Sequence, residues 1–220
     1  MDTFFHKGYY LPETKYRGKL EHVRYPAFAS LKLDGELQYL IVRGGKAITV
    51  NKPKYGRVRR DYPVTRAAAR LPDGIYLGEL YWNEGRTIED FHGLLAHKGD
   101  DNLKLALWGV LEYGGRCDIS TEETAEILEA IRPLLPPGGP ISIVPYWWVR
   151  NRTELLDLAG EILSEGWEGL VVRNPGATYS GGTTSQWIKI KGRTVRARGN
   201  EVVIMRGDRH ALPLQAGGAY

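Results

Sequence analysis

The sequence is poor in cysteine and in long apolar runs. It holds one cysteine, Cys117, among 220 residues, which excludes a disulfide within the chain and a cysteine-based metal cluster. We therefore expect an intracellular, cytoplasmic protein in which Cys117 is structural. No run approaches the ~18 apolar residues of a membrane-spanning helix, and the N-terminus lacks a signal-peptide pattern. The 42% hydrophobic fraction is typical of a globular protein.

Short strand patterns are mixed with helix patterns in no single period. Strands are predicted where short apolar or alternating runs end at turn residues, over 27–32, 38–43, 47–51, 75–81, 104–111, 142–148, 169–173, 186–191 and 201–205. Helices are predicted over 64–71, 87–95, from the capping box at Ser120 to about residue 133, and over 153–165. A Gly44-Gly45 turn predicts a hairpin. Hairpins mixed with helices indicate an α+β fold with mostly antiparallel sheets.

The most informative stretch is a lysine followed by an Asp-Gly pair. Lys32 ends an apolar run, Asp34 lies two residues further on, and Gly35 permits the close approach of another group. A lysine in this setting is a candidate covalent nucleophile. Attack requires a neutral amine, and neighbouring cations favour the neutral form. Lys189 and Lys191, two apart on one predicted strand, would place both ammonium groups on one face.

Four further segments follow the Lys32 stretch in order. They are Gly78-Glu79-Leu80, Leu107-Trp108-Gly109-Val110, Glu168-Gly169-Leu170-Val171-Val172-Arg173 and Trp187-Ile188-Lys189-Ile190-Lys191. The five segments resemble motifs I, III, IIIa, IV and V of the covalent nucleotidyltransferases, which include DNA ligases, RNA ligases and mRNA capping enzymes. The resemblance covers residues from about 28 to 192. It implies an ATP-grasp-like nucleotidyltransferase domain over residues 1–192, with mostly antiparallel sheets flanked by helices.

The resemblance also implies a role for each motif residue. Lys32 would carry AMP from ATP, with Mg²⁺ or Mn²⁺ as the metal. Glu79 would contact the ribose, and Trp108 would stack on the purine, although an apolar strand also supplies core tryptophans. Glu168 and Asp34 would serve the metal and the phosphates, whereas a cap or a surface ion pair is the structural alternative for the glutamates. The remaining predicted catalytic and nucleotide contacts are Ser30, Leu31, Lys52, Arg173, Lys189 and Lys191.

Several features depart from the family pattern. Leu37 stands where DNA ligases and capping enzymes commonly have arginine, and it resembles one subgroup of phage RNA ligases. Arg173 replaces the usual lysine of motif IV and keeps its charge. Lys52 is the predicted stand-in for the motif Ia arginine, with Arg57 as its competitor. Residues 193–220 would form a basic tail too short for the usual OB-fold, so we expect that a partner can supply that domain.

Basic residues exceed acidic ones, and the excess is clustered. The formal net charge is +4, with one cluster over residues 52–60 and another after residue 192. An isolated cluster is commonly a solvated face, but two clusters that flank a nucleotide-type site indicate a polyphosphate partner. The predicted nucleic-acid contacts are Lys52, Lys54, Arg57, Arg59, Arg60, Arg193 and Arg196.

The sequence therefore predicts an ATP-dependent polynucleotide ligase that joins 5′-phosphate and 3′-hydroxyl ends through lysyl-AMP. The forms of motifs III and IV favour DNA, whereas Leu37 favours RNA, and DNA is the first choice. A capping-type guanylyltransferase is disfavoured because no OB-fold is expected. A non-catalytic nucleic-acid-binding module is disfavoured because a decayed site would lose at least one of its ionisable residues. Those residues are Lys32, Asp34, Glu79, Glu168, Lys189 and Lys191, and all are present.

Overall fold

The computed structural model describes residues 11, 13–51, 57–82 and 102–191. Several predicted features lie outside these ranges, namely the helix over 87–95, the strand over 201–205, the tail from residue 193, and the side chains of Lys52 and Lys54.

The described residues form two β-sheets and three α-helices. The strands are β1 (Thr14–Gly18), β2 (Ala27–Leu31), β3 (Glu36–Arg43), β4 (Lys46–Val50), β5 (Val58–Arg59), β6 (Gly74–Trp82), β7 (Leu103–Tyr113), β8 (Ile141–Ile143), β9 (Tyr146–Val149), β10 (Gly169–Arg173) and β11 (Gly182–Lys191). The helices are α1 (Pro63–Ala68), α2 (Thr121–Ile131) and α3 (Arg152–Ser164). One sheet has the order β1-β11-β10-β2-β9 and the other β5-β4-β3-β6-β7-β8. The β1–β11 and β7–β8 pairs are parallel and the other pairs are antiparallel, so the predicted α+β class is confirmed.

Alternation along the five-stranded sheet separates a core face from a cleft face. In β2, Ala27, Ala29 and Leu31 pack in the cluster that contains the apolar side of α3. Phe28 and Ser30 point the other way and meet the Arg173 side chain of β10. The period-two pattern of a strand therefore directs one set of residues to the core and the next to the cleft.

The six-stranded sheet is built in the same way. In β3, Leu40 and Val42 pack in the cluster that contains the buried residues of α1 and α2. Tyr39 and Ile41 lie in a different cluster, together with Trp187 of β11. That cluster contains residues of both sheets and joins them.

Local sequence signals explain where several elements begin. The Ser120 hydroxyl accepts from the Glu123 backbone N–H at 3.2 Å, and the Glu123 carboxylate accepts from the Ser120 N–H at 2.9 Å, which confirms the predicted capping box of α2. Asn151 caps α3 by accepting from the Glu154 N–H at 2.9 Å. Gly44 and Gly45 both have positive φ, 53° and 73°, as the predicted β3–β4 hairpin turn requires.

One strand prediction needs correction, and two strands were not predicted. The strand predicted over 142–148 is two strands, because β8 pairs with β7 in one sheet and β9 pairs with β2 in the other. The chain changes sheets at Val144 and Pro145, where Val144 donates to the Leu107 carbonyl at 2.8 Å and Pro145 accepts from the Leu31 N–H at 2.9 Å. The sequence analysis also missed β1 and the two-residue strand β5.

Within the described ranges, no helix combines the length and the apolar character that crossing a membrane requires.

Candidate active site

Neighbouring strands of the five-stranded sheet bring the predicted lysines together. In the β10–β11 pair, Gly169 lies opposite Lys191 and Val171 lies opposite Lys189. Just beyond the end of β2, the Lys32 backbone N–H donates to the Gly169 carbonyl at 2.8 Å. Since side chains alternate along a strand, this pairing places three lysine side chains on one face.

Glu168 links two of these lysines. Its Oε2 accepts from the Lys32 ammonium group, and its Oε1 accepts from the Lys191 ammonium group at 2.6 Å. Burial alone would raise the pKa of Glu168, but the hydrogen bonds from Lys191 and Lys32 outweigh it and hold that pKa below its usual value. An ionised Glu168 therefore holds the amine of Lys32 in place. The Lys32 side chain is 17% exposed, which leaves it accessible.

Glu79 approaches the same place from the other sheet. It lies on β6, and the Gly35 backbone N–H and the Trp108 side chain are close enough to lower its pKa. Burial raises the pKa of Glu79 to about 7, the positive charge of Lys32 opposes the rise, and the negative charge of Glu168 adds to it. A Cβ on Gly35 would lie 2.8 Å from Glu79 Cγ and would collide with the Leu80 carbonyl oxygen. The Asp-Gly turn thus needs its glycine because β6 passes so close.

Arg173 and Trp108 meet between the sheets. The Arg173 guanidinium is buried and lies 5.2 Å from the Trp108 ring, 4.5 Å from the Trp187 ring and 5.0 Å from the Phe28 ring. Among the described residues it donates one long hydrogen bond, 3.4 Å to the Ser30 hydroxyl. Burial lowers the pKa of Arg173 to about 10, so the group stays a cation at neutral pH. An aromatic enclosure of this kind suits a delocalised cation.

Lys189, the third lysine, has an aromatic neighbour that the sequence analysis missed. Its Nζ lies 4.6 Å from the centroid of the Tyr16 ring. Partial burial, with the charges of Lys32 and Lys191, lowers the pKa of Lys189. Tyr16 belongs to β1, where the alternation of Thr14 and Tyr16 with two charged residues, bounded by Gly18, is a weak strand signal that was available.

Other predicted contacts occupy different environments. Ser30 is buried in the cleft face beside Arg173. The Leu31 side chain packs in the core with α3, so it faces away from the cleft, and only its backbone is near the site. Asp34 is exposed on the turn that follows Lys32.

The carboxylates fit a metal that arrives with its substrate. The described residues contain no group of three or more His, Cys, Asp or Glu side chains arranged to hold an ion. Glu168 is engaged by two ammonium groups and Asp34 faces solvent. Mg²⁺ commonly takes one or two protein carboxylates and completes its shell with substrate phosphates and water. The donor set therefore suits a nucleotide-borne cation and not a protein-only cage.

The basic cluster over 52–60 is less uniform than its sequence suggested. Arg57 and Arg60 are exposed. Arg59 is 3% exposed and donates to Glu36 Oε2 at 3.4 Å. A buried guanidinium held by a carboxylate does not fit the predicted nucleic-acid contact at Arg59. Lys52, Lys54, Arg193 and Arg196 lie outside the described residues.

Solved structures of DNA ligases share this fold. The ATP-dependent DNA ligase of bacteriophage T7, in complex with ATP, superposes with a TM-score of 0.60 at 22% identity, covering 83% of this chain and 68% of that one. Chlorella virus DNA ligase-adenylate gives 0.60 at 21% identity, with 81% and 67% covered. A Lig E DNA ligase gives 0.56 at 17% identity, with 81% and 67% covered. The chain thus spans about two thirds of each of these proteins.

The sequence itself matches a family over most of its length. No curated protein matches it at a significant level. Residues 14–191, which include every motif residue of the cleft, match the family described as ATP dependent DNA ligase domain. Because the match covers well over half of the chain, the protein belongs to the ATP-dependent DNA ligase domain family.

Proposed function

We propose that this chain is the adenylylation domain of an ATP-dependent DNA ligase and that Lys32 is its nucleophile. The observation that carries the proposal is the hydrogen-bonded set Lys32–Glu168–Lys191, which lies across the cleft from Glu79 and Trp108. A nucleophile, cations for phosphate and an aromatic surface for a base are the parts that nucleotidyl transfer requires. They come from both sheets and from motifs that are distant in the sequence.

In the first step, Lys32 Nζ attacks the α-phosphorus of ATP. The N–P bond of a lysyl-AMP phosphoramidate forms, the bond to the bridging oxygen breaks, and pyrophosphate leaves with the electron pair. The amine must give up its proton before attack, and the Glu168 carboxylate that accepts its hydrogen bond is placed to take it. Lys191 and Lys189 face the phosphates, where their charges offset the negative charge that develops in the transition state.

The other cleft residues bind and orient the nucleotide. Glu79, ionised at pH values above its pKa of about 7, accepts from a ribose hydroxyl. Trp108, with the Arg173 cation 5.2 Å away, provides a face for the purine. Glu168 and Asp34 would hold a divalent cation, which would supply positive charge against the triphosphate.

In the later steps AMP passes from Lys32 to a 5′-phosphate, and a 3′-hydroxyl displaces it to join the strand. DNA is the first substrate proposed, since the family and the similar structures are DNA ligases. RNA is the second, because Leu37, which lies opposite Glu79 in the β3–β6 pair, occupies the position of a common ligase arginine. Sealing of nicked DNA and nicked RNA of the same sequence separates the two candidates.

The direct test is covalent labelling. Incubation with labelled ATP and Mg²⁺ followed by a denaturing gel should show AMP on the wild type, while Lys32→Ala and Lys32→Arg should show none. Among the described residues, Lys191 is the other amine that Glu168 binds. Lys191→Ala keeps Lys32 and should therefore still be labelled, though more slowly. Lys46→Ala, a change at an exposed lysine on β4, controls for loss of charge. Labelling that survives Lys32→Ala, or that needs GTP, contradicts the proposal.

A further inference from the structure

The three cleft lysines differ in what faces their charge. Lys32 and Lys191 share the carboxylate of Glu168. Lys189 forms no ion pair with any described acidic residue, and its ammonium group lies against the Tyr16 ring instead. An aromatic ring attracts a cation through its quadrupole but carries no net charge. Lys189 is therefore held by a neutral ring and not by a carboxylate.

The Tyr16 ring is itself held in place by an aromatic partner. It stacks on Trp187 with the ring centroids 5.1 Å apart and the planes at 22°. Trp187 lies two residues before Lys189 on β11, so both side chains point to the same face. The opposite neighbour of Trp187 is the Arg173 guanidinium, 4.5 Å from its ring centroid. Two cations thus bracket two stacked rings.

An irregularity in the β1–β11 pair brings the Tyr16 ring to Lys189. Tyr16 is registered with Thr184, but Gly18 is registered with Ile188, so β11 advances two residues more than β1 over this interval. Gly18 makes the close approach possible, because a Cβ there would lie 2.6 Å from Ile188 Cγ1 and 2.7 Å from the Trp187 carbonyl oxygen. β1 therefore packs closely against β11 near Lys189.

We propose that Tyr16 is a positioning residue for Lys189, and that its ring holds the ammonium group over the cleft without neutralising it. The inference rests on the proposed lysine adenylylation. A carboxylate in the place of Tyr16 would compete with the phosphates of ATP for the lysine. The ring attraction at an exposed site is much weaker than a charge-assisted hydrogen bond to phosphate. Lys189 can therefore donate to a phosphate of ATP while its ammonium group stays against the ring, and no ion pair has to break first.

The test varies the negative charge density on the face of the ring and keeps the shape of the ring. In the full chain, Tyr16 is replaced by phenylalanine and by phenylalanines that bear one, two and three ring fluorines, each of which weakens the negative face. Tyr16→Leu removes the ring. The KM for ATP and the rate constant for AMP loading are then measured, together with the unfolding temperature. The same fluorinated residues at Tyr113, which packs in the core of the other sheet, serve as the control.

We expect the KM for ATP to rise stepwise with fluorination, reaching about two- to five-fold for three fluorines and for Tyr16→Leu, with the loading rate constant at saturation little changed. Tyr16→Phe should restore most of what Tyr16→Leu loses. A flat fluorine series, or an equal effect at Tyr113, overturns the inference, and the series decides the matter even if Tyr16→Leu does not fold. A wild type that takes up no AMP would instead refute the proposed function.

Discussion

At the scale of the residue, Glu79 combines burial with a polar role. It lies on β6 near Gly35 and Trp108, and burial raises its pKa to about 7. A carboxyl group with that pKa changes its charge in the neutral range, where most carboxyl groups are already ionised. Because the folded-state pKa lies above the unfolded value, Glu79 lowers the stability of the protein as the pH rises from about 4.5 to about 7, and the loss remains at higher pH.

The sign of this effect predicts the behaviour of Glu79→Gln. The unfolded group ionises near 4.5 and the folded group near 7, so the destabilisation appears as the pH rises through that window. The neutral glutamine should therefore increase the free energy of unfolding by about 1–2 kcal/mol at pH 8 and by little at pH 4.5. Thermal melts of both proteins at the two pH values measure it. An equal gain at both would point to packing and not to ionisation. Loading with AMP should fall, since the ribose loses an ionised acceptor.

The proximity of the predicted site residues could be expected from the sequence, whereas their surroundings could not. Lys32, Glu79, Glu168 and the two β11 lysines belong to short local motifs, and the structure brings them together. The contact of Lys189 with the Tyr16 ring depends on strand register between residues far apart in the sequence. Burial of one arginine inside the basic cluster depends on tertiary packing, which composition does not encode.

At the scale of the element, the β10–β11 pair sets the geometry of the cleft. Its first residue, Gly169, has φ of +139° and follows Glu168 directly. A Cβ at Gly169 would collide with the Ile190 carbonyl oxygen. The glycine therefore lets the start of β10 cross β11 closely, and this crossing brings Glu168 between Lys32 and Lys191. The motif glycine has a backbone role, and the glutamate beside it depends on that role.

Two glycine substitutions test this reasoning, because they should change the stability of the fold in opposite directions. Gly169→Ala should destabilise the fold by about 3 kcal/mol or more, since it adds both a collision and an unfavourable φ. Gly160→Ala lies within α3, where an added Cβ meets nothing within 4 Å, and should stabilise by about 0.4–1 kcal/mol. Denaturant unfolding of both variants provides the measurement. Similar stabilities for the two would show that the crossing tolerates a side chain.

Elements with strong local signals were predicted and elements defined by pairing were not. The α2 capping box, the β3–β4 glycine turn and the motif strands were found within a few residues of their ends. The run over 142–148 is mostly apolar, and Pro145 is the local sign of a break within it. Which sheet each half joins depends on pairing with distant strands. The strand β1 alternates over only five residues and gains its partner at the far end of the described chain.

At the scale of the whole molecule, a basic surface remains the candidate for nucleic-acid binding. Arg57 and Arg60 are exposed, whereas the buried Arg59 bonds to Glu36, so replacing Arg59 would confuse lost binding with lost stability. The informative variant is therefore the triple change Lys54→Ala, Arg57→Ala and Arg60→Ala. If these residues contact duplex DNA phosphates, each contact contributes about 0.9 to the slope of log affinity against log salt.

We expect the triple variant to bind nicked DNA more weakly and to flatten that slope by up to about 2.7, while AMP loading of Lys32 persists. The matched control changes three other exposed basic residues, Lys46, Arg66 and Arg70, to Ala and so removes the same net charge. Binding titrations across a salt series measure the slopes. Equal slopes for the two triple variants would mean that the cluster contributes only general charge.

The parallel pairing of β1 with β11 has a consequence for synthesis of the chain. Residues 14–18 leave the ribosome early but find their partner only after residues 182–191 have emerged. Lys32 and the β11 lysines are likewise apart until that moment, so a nascent chain cannot hold ATP in a complete site. Once the ends meet, bound nucleotide stabilises the closed form by mass action. Under the proposed function, ATP would therefore stabilise only chains in which β1 and β11 have already paired.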